Sequence, residues 1–275
     1  AMDVLCTDKT GTLTQDHIAL ERHTDVMGHK SDEVLQFAFL NSHYQTGLKN
    51  LLDRAVLEHV DLTQSMRIAE DYRKVDEIPF DFQRRRMSVV VAERNHHHEL
   101  ICKGALEEIL QCCTQMRDGD QVLPLTPERI QQVLSVTQQL NSDGLRVVAV
   151  AVKEVPPEKT TYGISDESGL TLIGYVAFLD PPKDSTAAAL QALQDHGVEV
   201  KVLTGDSELV ARKVCRDVGL RIDNALLGSE VEAMDDAALS TAVERYTLFA
   251  KLAPLHKERI VRALRANGHI TGFMG

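Results

Sequence analysis

The stretch Met2-Asp3-Val4-Leu5-Cys6-Thr7-Asp8-Lys9-Thr10-Gly11-Thr12-Leu13-Thr14 decides how the chain is read. Its first part is apolar and strand-sized, and its second is polar and contains a glycine. That order describes a buried strand delivering a loop at its C-terminal end. In an open α/β sheet, ligands bind at that end of the strands. The same texture returns from residue 181 onwards. An amphipathic helix over 185–195 is followed by a strand at 198–203, the loop Thr204-Gly205-Asp206 and a helix over 207–218 closed by Gly219. A strand at 247–250, a helix over 254–266 and a last strand at 269–274 complete a βα alternation. This is the signature of an α/β fold around a doubly wound parallel sheet.

Residues 17–180 have a different texture. The pattern gives a helix over 31–41 capped by Ser31, a second over 49–60, and a hairpin of strands 86–93 and 99–103 joined at Arg94-Asn95-His96-His97-His98. Helices over 105–113 and 127–141 and strands at 145–153 and 170–178 follow. Strands and helices without strict alternation describe an α+β domain inserted into the α/β one. Residues 165–168 and Pro156-Pro157 read as a polar loop, and Asp180-Pro181-Pro182-Lys183 as a stiff re-entry hinge, since proline fixes φ. The expected domains are therefore 1–16 with 181–275, and 17–180.

Composition excludes several classes. Formal net charge is −11, from 41 acidic and 30 basic residues, and diffuse acidity repels a phosphate backbone, so no nucleic-acid partner is expected. No run approaches the ~18 apolar residues of a spanning helix, so no direct membrane insertion of this chain is expected. Residues 1–3 lack the basic start of a secretory signal. The five cysteines, Cys6, Cys102, Cys112, Cys113 and Cys215, are irregularly spaced and form no C-x-x-C pair. They read as buried free thiols of a reducing compartment rather than a disulfide framework or zinc site. The triple histidine 96–98 has no acidic or cysteine partner at ligand spacing and reads as a solvated hairpin tip.

A carboxylate on a tight loop at the end of a strand can attack a phosphoryl group and form an acyl phosphate, provided cations and N–H groups neutralise the incoming oxygens. Asp8-Lys9-Thr10-Gly11-Thr12 offers that carboxylate, and letter for letter it resembles the D-K-T-G-T signature of the P-type ATPase family. The resemblance extends over nearly the whole chain. It implies a haloacid-dehalogenase-like doubly wound domain interrupted by an inserted α+β nucleotide-binding domain. It implies that Asp8 is phosphorylated by ATP with Mg²⁺ as cofactor, Asp8 and the Thr10 carbonyl serving as metal ligands and the Thr10 side chain contacting the phosphate. The wider superfamily places an acid/base Asp two residues after the nucleophile. Thr10 stands there instead, so water attack on the aspartyl phosphate is expected to be slow.

Further roles follow from the resemblance. Thr204-Gly205-Asp206 matches the phosphate-holding T-G-D loop. Pro254-Leu255-His256-Lys257 matches P-x-x-K, whose lysine contacts phosphate and nucleophile, and Pro254 suits a first helical turn. With Lys9, these make the expected catalytic set. Asp180 and Lys183 match a D-P-P-R/K hinge associated with nucleotide contacts. Phe80 and Lys103 match the adenine-stacking phenylalanine and the pocket lysine, Gly104 would let the base approach the backbone, and Phe82 is expected in the core. Arg146 matches a phosphate-contacting arginine, and Asp53 an acidic residue that bonds the adenine amine. Arg85 is a further nucleotide candidate; strand alternation alone leaves Arg84, Arg85 and Arg86 open.

Residues 41–50 and 76–82 resemble the bacterial magnesium-transporting branch. In that reading ATP or ADP binds here, the partners are an actuator and a transmembrane domain of the same parent, and the location is the cytoplasmic face of the bacterial inner membrane. The family continues into G-D-G-x-N-D, so a phosphorylation domain ending at Gly275 is expected to be incomplete and weakly active or inactive. The alternatives are a pump of another cation, or a capped phosphatase of the same superfamily.

Overall fold

A computed structural model describes residues 2–15, 17–47, 49–60, 67, 68, 70–94 and 97–275. In chain order the first elements are β1 (Val4–Thr7), β2 (Ala19–Asp25), α1 (Asp32–Tyr44), α2 (Leu51–His59), β3 (Tyr72–Asp81), β4 (Arg86–Glu93) and β5 (His98–Gly104). Next come α3 (Leu106–Cys112), β6 (Cys113–Asp118), β7 (Gln121–Pro124), α4 (Pro127–Ser142), β8 (Arg146–Val155) and β9 (Leu170–Leu179). The remainder are α5 (Thr186–Asp195), β10 (Glu199–Leu203), α6 (Glu208–Asp217), β11 (Ala225–Leu227), α7 (Gly228–Ala233), α8 (Asp236–Arg245), β12 (Leu248–Ala250), α9 (Pro254–Ala266) and β13 (Thr271–Met274). The fold is α/β with one parallel and one mixed sheet. Two compact units divide it: Ala1–His17 with Asn141–Arg146 and Asp180–Gly275, and Ile18–Leu140 with Val147–Leu179.

In the first unit, five parallel strands run in the order β11-β12-β10-β1-β13. Val200 and Val202 of β10 face one way, against Leu190 of α5 and Ala211 and Cys215 of α6. Leu203, with Val4, Cys6 and Phe249, packs against Val231 of α7, Leu239 and Val243 of α8, and Ile260 and Leu264 of α9. Helices on both faces bury β1 and β12 completely and β10 from Val200 to Leu203, whereas the edge strand β13 leaves Phe273 and Met274 about half exposed. Each such buried aliphatic side chain contributes about 1.5–3 kcal/mol relative to exposure.

The second unit holds an eight-stranded sheet along β3-β4-β5-β8-β9-β6-β7, with β2 pairing β9 antiparallel. Helix α1 starts where Ser31 accepts the Val34 N–H at 3.3 Å, and α2 starts at a reciprocal cap between Asn50 and Asp53. Both cover one face of the sheet through Val34, Phe37, Leu40 and Val56 against Val89, Val91, Ile101 and Val150. Strand β3 lies at the edge and carries Arg73, Lys74, Asp76 and Glu77, charges that discourage further strand pairing.

Two expectations need correction. Phe82 is no core residue: it is 84% exposed, because β3 ends at Asp81 and the pairing register with β4 shifts between Ile78 and Asp81. His98 is not part of a solvated tip. It opens β5 opposite Val155 and is buried, while His97 is exposed and lies 2.9 Å from Glu154. His96 lies outside the described residues. All five cysteines are free and buried, as the spacing suggested, and burial pushes the Cys6 thiol up to about 11. Among the described residues, no helix is long and apolar enough to cross a membrane.

Candidate functional site

Strand β1 ends at Thr7, and the Asp8 N–H donates to the Met274 carbonyl of β13 at 2.8 Å. The next residues make one wide turn, closed by the Thr14 N–H on the Lys9 carbonyl at 3.1 Å, with Gly11 at φ 77°. A side chain is strained in that left-handed region, which is why glycine stands there. The turn splits two adjacent side chains. Asp8 points to the open side, where its Oδ2 lies 2.5 Å from the Lys257 Nζ in the first turn of α9 and its Oδ1 accepts the Lys9 N–H at 2.7 Å. Lys9 points inward and is 1% exposed. Its ammonium sits 2.7 Å from Asp180 Oδ2 and 2.9 Å from Asp206 Oδ2.

The electrostatics follow from that placement. Burial alone would lower the Lys9 ammonium, but Asp206 and Asp180 outweigh it and raise it above its ordinary value. Burial would push the Asp206 carboxyl up, but Arg146 and Lys9 hold it below the usual carboxylate range. Arg146 belongs to the 141–146 segment of the same unit, and its guanidinium is 3.5 Å from Asp206 Oδ1. Thr204 accepts the Asp206 N–H on its hydroxyl at 3.1 Å and is buried, as is Asp206; Gly205 between them is exposed.

Asp180 and Lys183, expected among nucleotide contacts, are engaged with the loop itself. Asp180 Oδ2 accepts the Thr10 hydroxyl at 3.1 Å as well as Lys9, and the Lys183 Nζ donates to the Gly11 carbonyl at 2.6 Å. The Gln15 N–H donates to the Pro181 carbonyl at 2.8 Å, so the Pro-Pro segment grips both sides of the loop. The arrangement joins a partly exposed carboxylate to a neighbouring ammonium above a buried ionic anchor, and such a carboxylate can act as a nucleophile. A hard divalent cation takes oxygen ligands, and Mg²⁺ is held by one or two protein groups together with phosphate oxygens. Asp8 and the Thr10 carbonyl are of that kind, so the donor chemistry fits.

In the second unit, the Lys103 Nζ lies 2.6 Å from both Asp53 Oδ1 and Ser42 Oγ, in a buried cluster between β5, α1 and α2. Burial would raise the Asp53 carboxyl, but Lys103 outweighs it and holds the group below the usual range. Asp53 Oδ2 also accepts the Asn50 N–H at 3.2 Å, so this carboxylate caps α2 and pairs Lys103 at once. Phe80 is 48% exposed and stands edge-on to Phe82, ring centroids 5.5 Å apart. Strand register pairs Asp81 with Arg86 and Met87 with Lys103, so Phe80 and Lys103 stand at one end of the sheet, two strands or about 10 Å apart.

Arg85 adopts φ 47°, and its side chain reaches Glu108 at 3.3 Å. A Cβ on Gly104 would meet Arg86 Cβ at 2.5 Å and the Arg85 carbonyl at 2.6 Å. The glycine is thus needed for the turn's own backbone rather than only for a ligand. Ser42 and Glu167 were not among the sequence candidates. Glu167 accepts Arg84, Arg86 and Ser88, yet in the sequence it is one polar residue of a polar loop.

A family model described as "P-type ATPase, cytoplasmic domain N" matches residues 25–185, more than half of the chain. The "Magnesium-transporting ATPase, P-type 1" of Salmonella typhimurium is 58% identical over 275 residues, covering 100% of this chain and 30% of that protein. The protein of the same name in Escherichia coli is also 58% identical, with 31% of it covered. A calcium-transporting ATPase of Listeria monocytogenes is 29% identical over 298 residues, covering 99% of this chain and 33% of that protein. The chain thus spans about 30% of the length of the curated relatives it matches first. The matched model, over half the chain, shows that the chain belongs to the P-type ATPase family.

Proposed function

We propose that the chain is the ATP-binding and aspartyl-phosphorylation headpiece of an ATP-driven cation pump, with magnesium as the transported ion. The second unit binds the nucleotide. The first, read as a haloacid-dehalogenase-like phosphorylation domain, carries the acceptor carboxylate. The observation that carries this reading is Asp8, at the end of an interior parallel strand with Lys257 Nζ 2.5 Å from its Oδ2. The name of the relatives at 58% identity favours magnesium over other cations. The corresponding location is the cytoplasmic face of the bacterial inner membrane, with actuator and transmembrane domains as partners.

In this mechanism an Asp8 carboxylate oxygen attacks the γ-phosphorus of ATP, the bond to the β-γ bridging oxygen breaks, and ADP departs. Lys257 offsets charge on the carboxylate and on the incoming phosphoryl oxygens. Asp8 and the Thr10 carbonyl would hold Mg²⁺, which when bound neutralises phosphate charge. The exposed Gly205 leaves room for phosphate oxygens beside its own N–H, while the Thr204 N–H donates to the Phe249 carbonyl and the Asp206 N–H to the Thr204 hydroxyl. Thr10 is no proton acceptor for water: its hydroxyl donates to Asp180. That supports a persistent acyl phosphate over a phosphatase cycle.

The test is labelled ATP with a divalent cation, followed by acid quench. Acid-stable label at Asp8 that disappears in Asp8→Asn is the expected result. Rapid turnover of small phosphomonoesters without a trapped intermediate would favour the capped phosphatase.

A further inference from the structure

The turn that carries Phe80 and Phe82 is held more tightly than an exposed hairpin requires. Asp81 Oδ1 accepts the N–H groups of Gln83 at 2.9 Å and Arg84 at 2.6 Å, and the Asp81 carbonyl accepts the Arg85 N–H at 2.9 Å. The Arg85 carbonyl in turn accepts the Ala105 N–H at 3.1 Å. Behind it stands Glu167, whose side chain is fully buried. Its Oε2 accepts Arg84 Nη1 at 2.5 Å and Arg86 Nε at 2.8 Å, and its Oε1 accepts Ser88 Oγ at 2.7 Å. Register pairs Ser88 with Cys102 and Met87 with Lys103. Directly paired residues share a face and neighbours along a strand alternate, so Arg86 and Ser88 lie on the face opposite Lys103 and its Asp53 partner.

The loop that bears Glu167 is itself fixed. The Lys153 Nζ donates to the Ser168 carbonyl at 2.8 Å, and Asp166 Oδ2 accepts the Gly163 N–H at 2.9 Å. A buried carboxylate with three side-chain donors, two of them guanidinium groups, is costly to assemble and to disturb. Nothing in the phosphoryl-transfer chemistry uses it.

We propose that Glu167 is the positioning residue of the nucleotide site: from the rear of the sheet it locks the 81–86 turn and so presents the Phe80 ring to the base before ligand arrives. This rests on the reading of the second unit as the nucleotide binder. An aromatic platform that is already ordered spares the ordering cost of binding, worth about two- to tenfold in affinity per side chain held.

The test is a double-mutant cycle on ADP affinity, measured by calorimetry on the 275-residue chain with Phe80→Ala, Glu167→Gln and the pair. Glu167→Gln is expected to weaken ADP about threefold to tenfold in the parent background and to have no effect once Phe80 is gone. Amide exchange at residues 83–85 and 105 should speed up in Glu167→Gln while β5 and β8 keep their protection. Equal weakening in both backgrounds overturns the proposal, because it marks a general structural role. Unchanged affinity with a loosened turn also overturns it. If Phe80→Ala alone leaves ADP affinity untouched, the base site itself is misplaced, which separates failure of the underlying reading from failure of the positioning role. Should Glu167→Gln not fold, Arg84→Lys gives the same cycle: it keeps the charge but loses the fork that spans Glu167, Asp81 and the Pro79 carbonyl.

Discussion

Replacing Lys9 with methionine isolates the ionic anchor beneath the phosphoryl-acceptor loop. The side chain is 1% exposed and its ammonium contacts two carboxylates that are each 5% exposed. Removing the cation from a buried pair costs about 3–5 kcal/mol, because an uncompensated charge stays inside. Arg146 still faces Asp206 and the Thr10 hydroxyl still serves Asp180, so the lower end of that range, about 3 kcal/mol, is expected for the first unit at neutral pH.

The pH dependence has a definite sign. In the parent chain the Asp206 carboxyl is held below its ordinary value, so its contribution is present above the unfolded value and is lost as pH falls through the folded one. In Lys9→Met, burial of Asp206 loses one of its two opposing cations. The carboxyl rises, and the variant loses stability as pH climbs above the unfolded value. The gap between the two proteins should therefore narrow as pH falls from ~7.5 towards the unfolded carboxyl value of 3.8. Urea unfolding read through amide exchange in β1 and β10 measures it. A penalty below ~1 kcal/mol at pH ~7.5, or one that does not change with pH, would refute the anchor.

Gly104→Ala would drive a methyl group into Arg85 and Arg86 backbone and Cβ atoms, and should cost the second unit about 1–3 kcal/mol in a denaturant melt; a neutral result would mean the turn can move aside. His269 is raised by its hydrogen bonds to Asp3 and Glu244, so its stabilisation is full below the unfolded value of 6.5 and is lost as pH rises through the folded value. His269→Asn should flatten the stability difference of the first unit between pH ~6 and ~8, whereas an unchanged slope would show that other groups set it.

The parallel sheet and its loop were legible because their signals are local: an apolar strand, a polar turn with glycine, and proline at the start of α9. The fate of Lys9 was not, since it depends on Asp180, 171 positions away. A lysine beside a nucleophile reads as a phosphate-binding cation, yet here the sheet's interior and two carboxylates draw it inward. The exposure of Phe82 was not legible either, because nothing local in the sequence marks that β3 stops at Asp81. Strand β2 was missed since its pattern, with Glu21 and Arg22 between buried residues, is interrupted by a register shift. In α8, the Asp235 cap and the Leu239, Ala242, Val243 spacing follow ordinary rules, but the glycine and acidic residues of 228–236 mask them. Glu167 carries no local signal, because its importance comes from three donors on a distant strand and turn.

The pairing of Ala19 with Leu179 has a consequence for how the polypeptide is assembled on the ribosome. Strand β1 finds its neighbour β10 only after some 190 further residues have emerged, a long loop to close at random. By stitching its own first and last strands together, the intervening unit returns the nascent chain to the place where it departed. The closure then spans only residues 8–18 and 180–198, about thirty residues instead of some 190, and vectorial synthesis favours completion of the insert before the interrupted sheet.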